Sequence, residues 1–111
     1  MAARKSRAVR PLDAAIGRLI ALAGKGVAPG RMAREVDVIA AEWLAAVDAD
    51  PAVVKDRLDE LRDQIAAGVG HAEEQLADVD SSEPAAVKQA GTMLAALVAS
   101  RDAARHAAAA L

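Results

Sequence analysis

The chain is almost without aromatic residues: it has one Trp and no Phe or Tyr among 111 residues, although 54% of the sequence is hydrophobic. A core must therefore be assembled from Ala, Val, Leu and Ile. Alanine is the strongest helix former, but each missing methylene forfeits about 0.8 kcal/mol of burial. A lone monomer built this way is thinly stabilised, which points to a homo-oligomer. The scarcity of rings also argues against recognition of single-stranded nucleic acid, whose bases stack on aromatic platforms. Cysteine is absent altogether, which excludes disulfides and thiolate zinc sites and suits a cytoplasmic protein. Long apolar runs are missing too. The longest uncharged stretch, Gln89 to Ser100, falls short of the roughly 20 residues of a membrane span, so no membrane partner is expected.

What is present is helical periodicity punctuated by proline and glycine. The length fits one domain with a modest core. The expected fold class is all-α: a small helical bundle with a long antiparallel hairpin and helices over about 12–23, 30–48, 51–79 and 84–108. After Pro11, the positions Leu12, Ile16, Leu19, Ile20 and Ala23 recur at steps of three and four, one face of a short helix. "GKG", Gly24 to Gly26, supplies the left-handed stop that helices favour. Pro29 then opens a second helix with Met32, Val36, Ile39, Trp43 and Val47 inward, and Asp50-Pro51 reads as the N-cap and first-turn proline of a third.

The third helix has the clearest pattern. Val54, Leu58, Leu61, Ile65, Val69, Ala72, Leu76 and Val79 advance by steps of 4, 3, 4, 4, 3, 4 and 3, a heptad-like seam with one stutter. Gly68 and Gly70 lie inside it and are expected to mark a bend or a close helix contact. Ser82 is the expected cap of the fourth helix, with Pro84 in its first turn and Val87, Ala90, Leu94, Leu97 and Val98 inward before the chain frays into "HAAAAL". A short connection between two long helices makes them antiparallel neighbours. The expected organisation is thus a basic flexible arm, 1–11, and one helical domain, 12–111, with the hairpin 51–108 as its oligomerisation core.

Charge is strongly segregated. Through Arg34 the chain carries eight basic residues against one acid, a net of +7, while the remainder carries six against fifteen, a net of -9. "ARKSRAVRP", residues 3–11, leads the basic part. Such a footprint fits a polyanion, because each neutralised phosphate releases condensed counterion. Duplex DNA gripped through its phosphates is the expected partner, with Arg4, Lys5, Arg7, Arg10, Lys25, Arg31 and Arg34 as the candidate nucleic-acid-binding residues. The same basic start followed by "LIALAG" has the outline of a signal peptide, but Asp13 and Arg18 interrupt its apolar region.

"LIALAGKGVAPGRMAREV", residues 19–36, has the outline of a helix-turn-helix, with Arg31 and Arg34 on the second helix. Two bundle helices joined by a glycine turn have the same outline. The order of "LAGKGVAPGRMA", residues 22–33, and "WLAAVDADPAVVKDRL", residues 43–58, resembles phage-type terminase small subunits, the DNA-recognition and assembly component of packaging motors. The resemblance implies a ring or other oligomer of helical hairpins, with DNA held by Arg31, Arg34 and the basic arm.

Catalytic and metal motifs fail inspection. His71 would need a second His at position 75 to form a zincin pair, and Gln75 stands there. A pairing with Glu74, one turn away, is expected for His71 instead, and His106 falls in the alanine tail. "GKG" lacks the upstream Gly and the following Ser or Thr of a phosphate loop. Asp56, Asp59, Glu60 and Asp63 alternate with Arg57 and Arg62 at helical spacings, as on a solvated or partner-facing surface. No enzyme activity, cofactor or metal is expected. Trp43, with Leu58, Leu61, Ile65, Leu76, Leu94 and Leu97, is the candidate core or oligomer contact, since indole is rarely left on bare surface. The alternative function is a helical adaptor or regulator that binds a partner protein through the acidic hairpin without nucleic acid.

Overall fold

The computed structural model describes residues 11–46 and 50–111. Four helices, α1 (Pro11–Gly24), α2 (Pro29–Ala45), α3 (Pro51–Asp78) and α4 (Pro84–Ala109), account for most of them, with no strand among the described residues. Each of the four prolines in the sequence is the first residue of a helix. The pyrrolidine ring fixes φ near the helical value, and its missing N–H is one that has no acceptor at a helix start. Pro11, expected in the basic arm, therefore belongs to α1.

The α1–α2 turn follows the glycine reading closely. Gly26 has φ +78°; its N–H donates to the Ala23 carbonyl at 3.1 Å, and the Val27 N–H donates to the Leu22 carbonyl at 3.3 Å. These are the two bonds of a Schellman stop, and Val27 folds back onto the core. At α3 the Asp50 carboxylate accepts the Ala52 N–H at 2.9 Å, which makes Asp50 the expected N-cap. Two boundaries differ from expectation. First, α2 ends at Ala45 rather than near 48, because Ala46 is extended (φ -63°, ψ 147°). Val47, expected in the inner stripe, lies outside the described residues. Second, Ser82 is not a cap: Glu83 holds that position and makes no side-chain cap bond. Ser82 instead donates its N–H to Asp80 at 2.9 Å. That backbone bond, with the Ser82 hydroxyl second, holds the Asp80 carboxyl below its ordinary range.

At the centre of the bundle, α4 packs against each of the other helices, most extensively α3 and then α2. Its deepest line is Ala96, Ser100, Ala104 and Ala108, at steps of four, with Leu97 beside it. The expected inward residues Val87, Ala90, Leu94 and Val98 are only half-buried. The alanine tail does not fray at His106; it stays helical to Ala109 and seats Ala108 in the core. Small side chains fill these positions because three helices converge on one, leaving little room at the shared surface. Ser100 satisfies its buried hydroxyl by donating to the Ala96 carbonyl at 2.9 Å.

The remaining core comes largely from the expected stripes. Leu12, Leu19 and Ala23 of α1, Met32, Val36 and Ile39 of α2, and Val54, Leu58, Leu61, Ile65, Val69 and Ala72 of α3 are buried. Ile16, Trp43, Leu76 and Val79 of those stripes are only half-buried, and Ile20 is 51% exposed while Ala15 takes a buried position instead. Gly68 and Gly70 mark no close contact, since a Cβ at either would meet nothing within 4 Å, and α3 is unbroken across both.

These features predict opposite effects for two glycine replacements, read by urea denaturation. Gly26→Ala should lose about 1–2 kcal/mol, because the left-handed conformation opposes a Cβ. Gly68→Ala should gain about 0.5–1 kcal/mol, because helix propensity improves with no clash. Ala104→Leu should cost about 1–3 kcal/mol or more through overpacking at the helix junction.

Candidate nucleic-acid interface

Of the seven candidate nucleic-acid contacts, Arg4, Lys5, Arg7 and Arg10 lie outside the described residues. The other three are exposed: Lys25 in the α1–α2 turn, and Arg31 and Arg34 on α2. A spacing of three puts Arg31 and Arg34 on neighbouring turns of one face, turned away from the buried stripe of Met32, Val36 and Ile39. Among the described residues, none of these three cations has an ion-pair partner.

Arg18 behaves differently. Its guanidinium hydrogen-bonds and ion-pairs with Glu35 and also reaches Glu42, at 3.3 Å. The Glu35 hydrogen bond is the largest cause that raises the Arg18 pKa above its ordinary value. Both carboxylates lie on α2, so Arg18 clamps α1 to α2 rather than contributing free positive charge. The net +7 read from the N-terminal sequence is reduced in the folded chain by acids that follow Arg34 in sequence and lie beside Arg18 in space.

The structure also adds a cation that sequence order conceals. Lys88 of α4 lines one crevice with Lys25 of the α1–α2 turn. It is the sole Lys or Arg between Arg62 and Arg101, an isolation that marks it in the sequence without showing what it faces.

The helix-turn-helix outline is present as α1, a four-residue turn and α2. However, α2 packs more extensively on α4 than on α1, so the pair is built into the four-helix bundle. α2 presents Arg31 and Arg34 outward, with Asp37 exposed three residues further along the same face.

The acidic side is set by α3. Arg62 draws Asp63 at 2.9 Å and Asp59 at 3.5 Å, whereas Asp56 and Glu60 have no ion-pair partner among the described residues. The Arg57 guanidinium stands 5.5 Å from the centroid of the Trp43 ring, a cation–π distance. Trp43 is half-buried against the core rather than enclosed by it. Among the other candidate core or oligomer residues, Leu58, Leu61, Ile65 and Leu97 are buried within the single chain, and Leu76 and Leu94 are half-buried.

His71 and His106 are exposed. The expected His71–Glu74 pairing does not form: among the described residues neither side chain has a hydrogen bond or ion pair. Among the described residues no three His, Asp or Glu groups are placed to hold a metal ion, and no helix is long and apolar enough to cross a membrane. The described surface carries exposed cations at Lys25, Arg31, Arg34 and Lys88 and exposed carboxylates at Asp37, Asp56, Glu60 and Asp63. Comparison with protein-family models, curated proteins and solved structures finds no match.

Because the Arg18 side chain is 41% exposed, its clamp should be modest. Arg18→Ala is expected to cost about 0.5–1 kcal/mol at low salt, shrinking at high salt, as paired thermal melts would show.

Proposed function

We propose that this is a non-enzymatic, self-associating helical protein that binds duplex DNA through its basic N-terminal third, in a role like that of phage-type DNA-packaging subunits. The observation that carries the reading is the segregation of charge, together with the exposure of Lys25, Arg31 and Arg34 without carboxylate partners among the described residues. Phosphate neutralisation by such residues releases counterions and drives binding. A duplex is favoured over a single strand because the sole aromatic, Trp43, is half-buried and faces Arg57, leaving no stacking platform. Self-association is supported by the large apolar side chains left exposed at Ile20, Val38, Leu44 and Val53. The resemblance of residues 22–33 and 43–58 to terminase small subunits supports the packaging role.

Gel-shift titration of a DNA duplex with the full chain, alongside mass measurement in solution, tests this. With as many as seven phosphate contacts, affinity should fall roughly a thousandfold or more between about 50 and 200 mM salt. Neutralising Arg4, Lys5, Arg7 and Arg10 together should abolish the shift, and Arg31→Gln or Arg34→Gln should weaken it. Arg18→Gln should leave affinity nearly unchanged, since Glu35 and Glu42 already engage that charge. Absence of binding at about 50 mM salt would overturn the reading.

The adaptor reading rests on a different face. Asp56 and Glu60 lack ion-pair partners among the described residues and lie near the exposed Val53, so α3 offers carboxylates beside apolar surface to a basic partner protein. It requires no DNA affinity, and the same titration separates the two.

A further inference from the structure

The crevice shared by Lys25 and Lys88 has a volume of about 370 Å³ and is bounded on one side by the α1–α2 turn and on the other by the first turns of α4. Gln89 and Thr92 complete its polar lining, and no carboxylate lines it. That composition is unusual for the acidic part of this chain, where fifteen acids outnumber six bases after Arg34. Lys25 and Lys88 are both exposed at this crevice, and an oxyanion seated between two ammonium groups is attracted by each of them.

Local geometry favours the same occupant. The Thr92 hydroxyl donates to the Lys88 carbonyl at 2.9 Å, bracing the turn that carries Lys88. Gly26, held at φ +78°, brings the α1–α2 turn near Thr92, whose methyl would stand 4.0 Å from a Cβ at that glycine. The Gln89 amide remains available as a neutral donor. Ala85, at the start of α4, also lines the crevice.

We propose that Lys25 and Lys88 form a phosphate-binding crevice, extending the basic surface from the α1–α2 turn onto α4. Tetrahedral oxyanions are its ligand class. On the DNA-binding reading, on which the fuller form of this inference rests, the occupant is a phosphodiester of the duplex backbone; a free phosphate offers the same chemistry.

The test uses the full chain and two probes. One is a labelled duplex followed by fluorescence anisotropy across a salt series, and the other is inorganic phosphate followed through the backbone amide signals of Ala85 and Gln89. Lys88→Gln and Lys25→Gln are each expected to lower duplex affinity roughly tenfold at about 50 mM salt and to reduce the salt slope by about one. Lys55→Gln, on α3 and away from the crevice, should change neither. Circular dichroism should be unaltered in all three, since Lys25, Lys55 and Lys88 are exposed and lack ion-pair partners among the described residues. If the wild-type chain binds duplex but Lys88→Gln matches Lys55→Gln, the crevice proposal is overturned and the DNA reading survives. If duplex binding is absent while phosphate shifts the Ala85 and Gln89 amides in wild type but not in Lys88→Gln, the crevice stands as a small-anion site and the DNA reading fails. No response to either probe overturns both.

Discussion

Close approach to α4 is the constraint on which the bundle depends. Three helices share its surface, and its deepest positions are Ala96, Ser100, Ala104 and Ala108. Each removes little apolar area from water, so stabilisation there comes from many short dispersion contacts between closely spaced backbones rather than from large side chains. The larger residues sit on the surrounding elements, Met32 and Ile39 on α2 and Leu58, Leu61 and Ile65 on α3, and reach inward over the small ones. Even the buried hydroxyl of Ser100 fits this scheme, since its hydrogen bond returns to its own helix and asks nothing of a neighbour.

The local grammar of the chain was readable because its determinants are local. Four prolines, the Schellman glycine at Gly26 and the cap at Asp50 fix where helices start and stop. The α3 stripe was readable because Val, Leu and Ile recur there at helical spacing. The buried face of α4 was not, since alanine is common on every side of that helix and its size suits both a crowded centre and open solvent. The larger Leu94 and Val98 lie on a face that is only half-buried. On α1 the same ambiguity exchanged Ile20 for Ala15.

For the candidate interface, sequence identified the exposed positions of Lys25, Arg31 and Arg34 but could not show which charges are already engaged. Arg18 meets Glu35 and Glu42 across 17 and 24 residues of sequence, and Lys88 meets the crevice of Lys25 from another helix. Both depend on tertiary proximity, which summed charge along a chain does not contain. Folding thus redraws the electrostatic boundary: one arginine leaves the free positive surface and one lysine from the acidic hairpin joins it.

The contact between Arg57 and Trp43 has an optical consequence. The chain holds a single indole, and its ring is half-buried at the place where α2 meets α3, beneath a guanidinium carried by α3. Tryptophan emission responds to hydration and to nearby charge, so the native fluorescence of this protein reports one junction and nothing else. Opening of α2 from α3, whether through unfolding or rearrangement on assembly, becomes visible as a colour shift without any attached label.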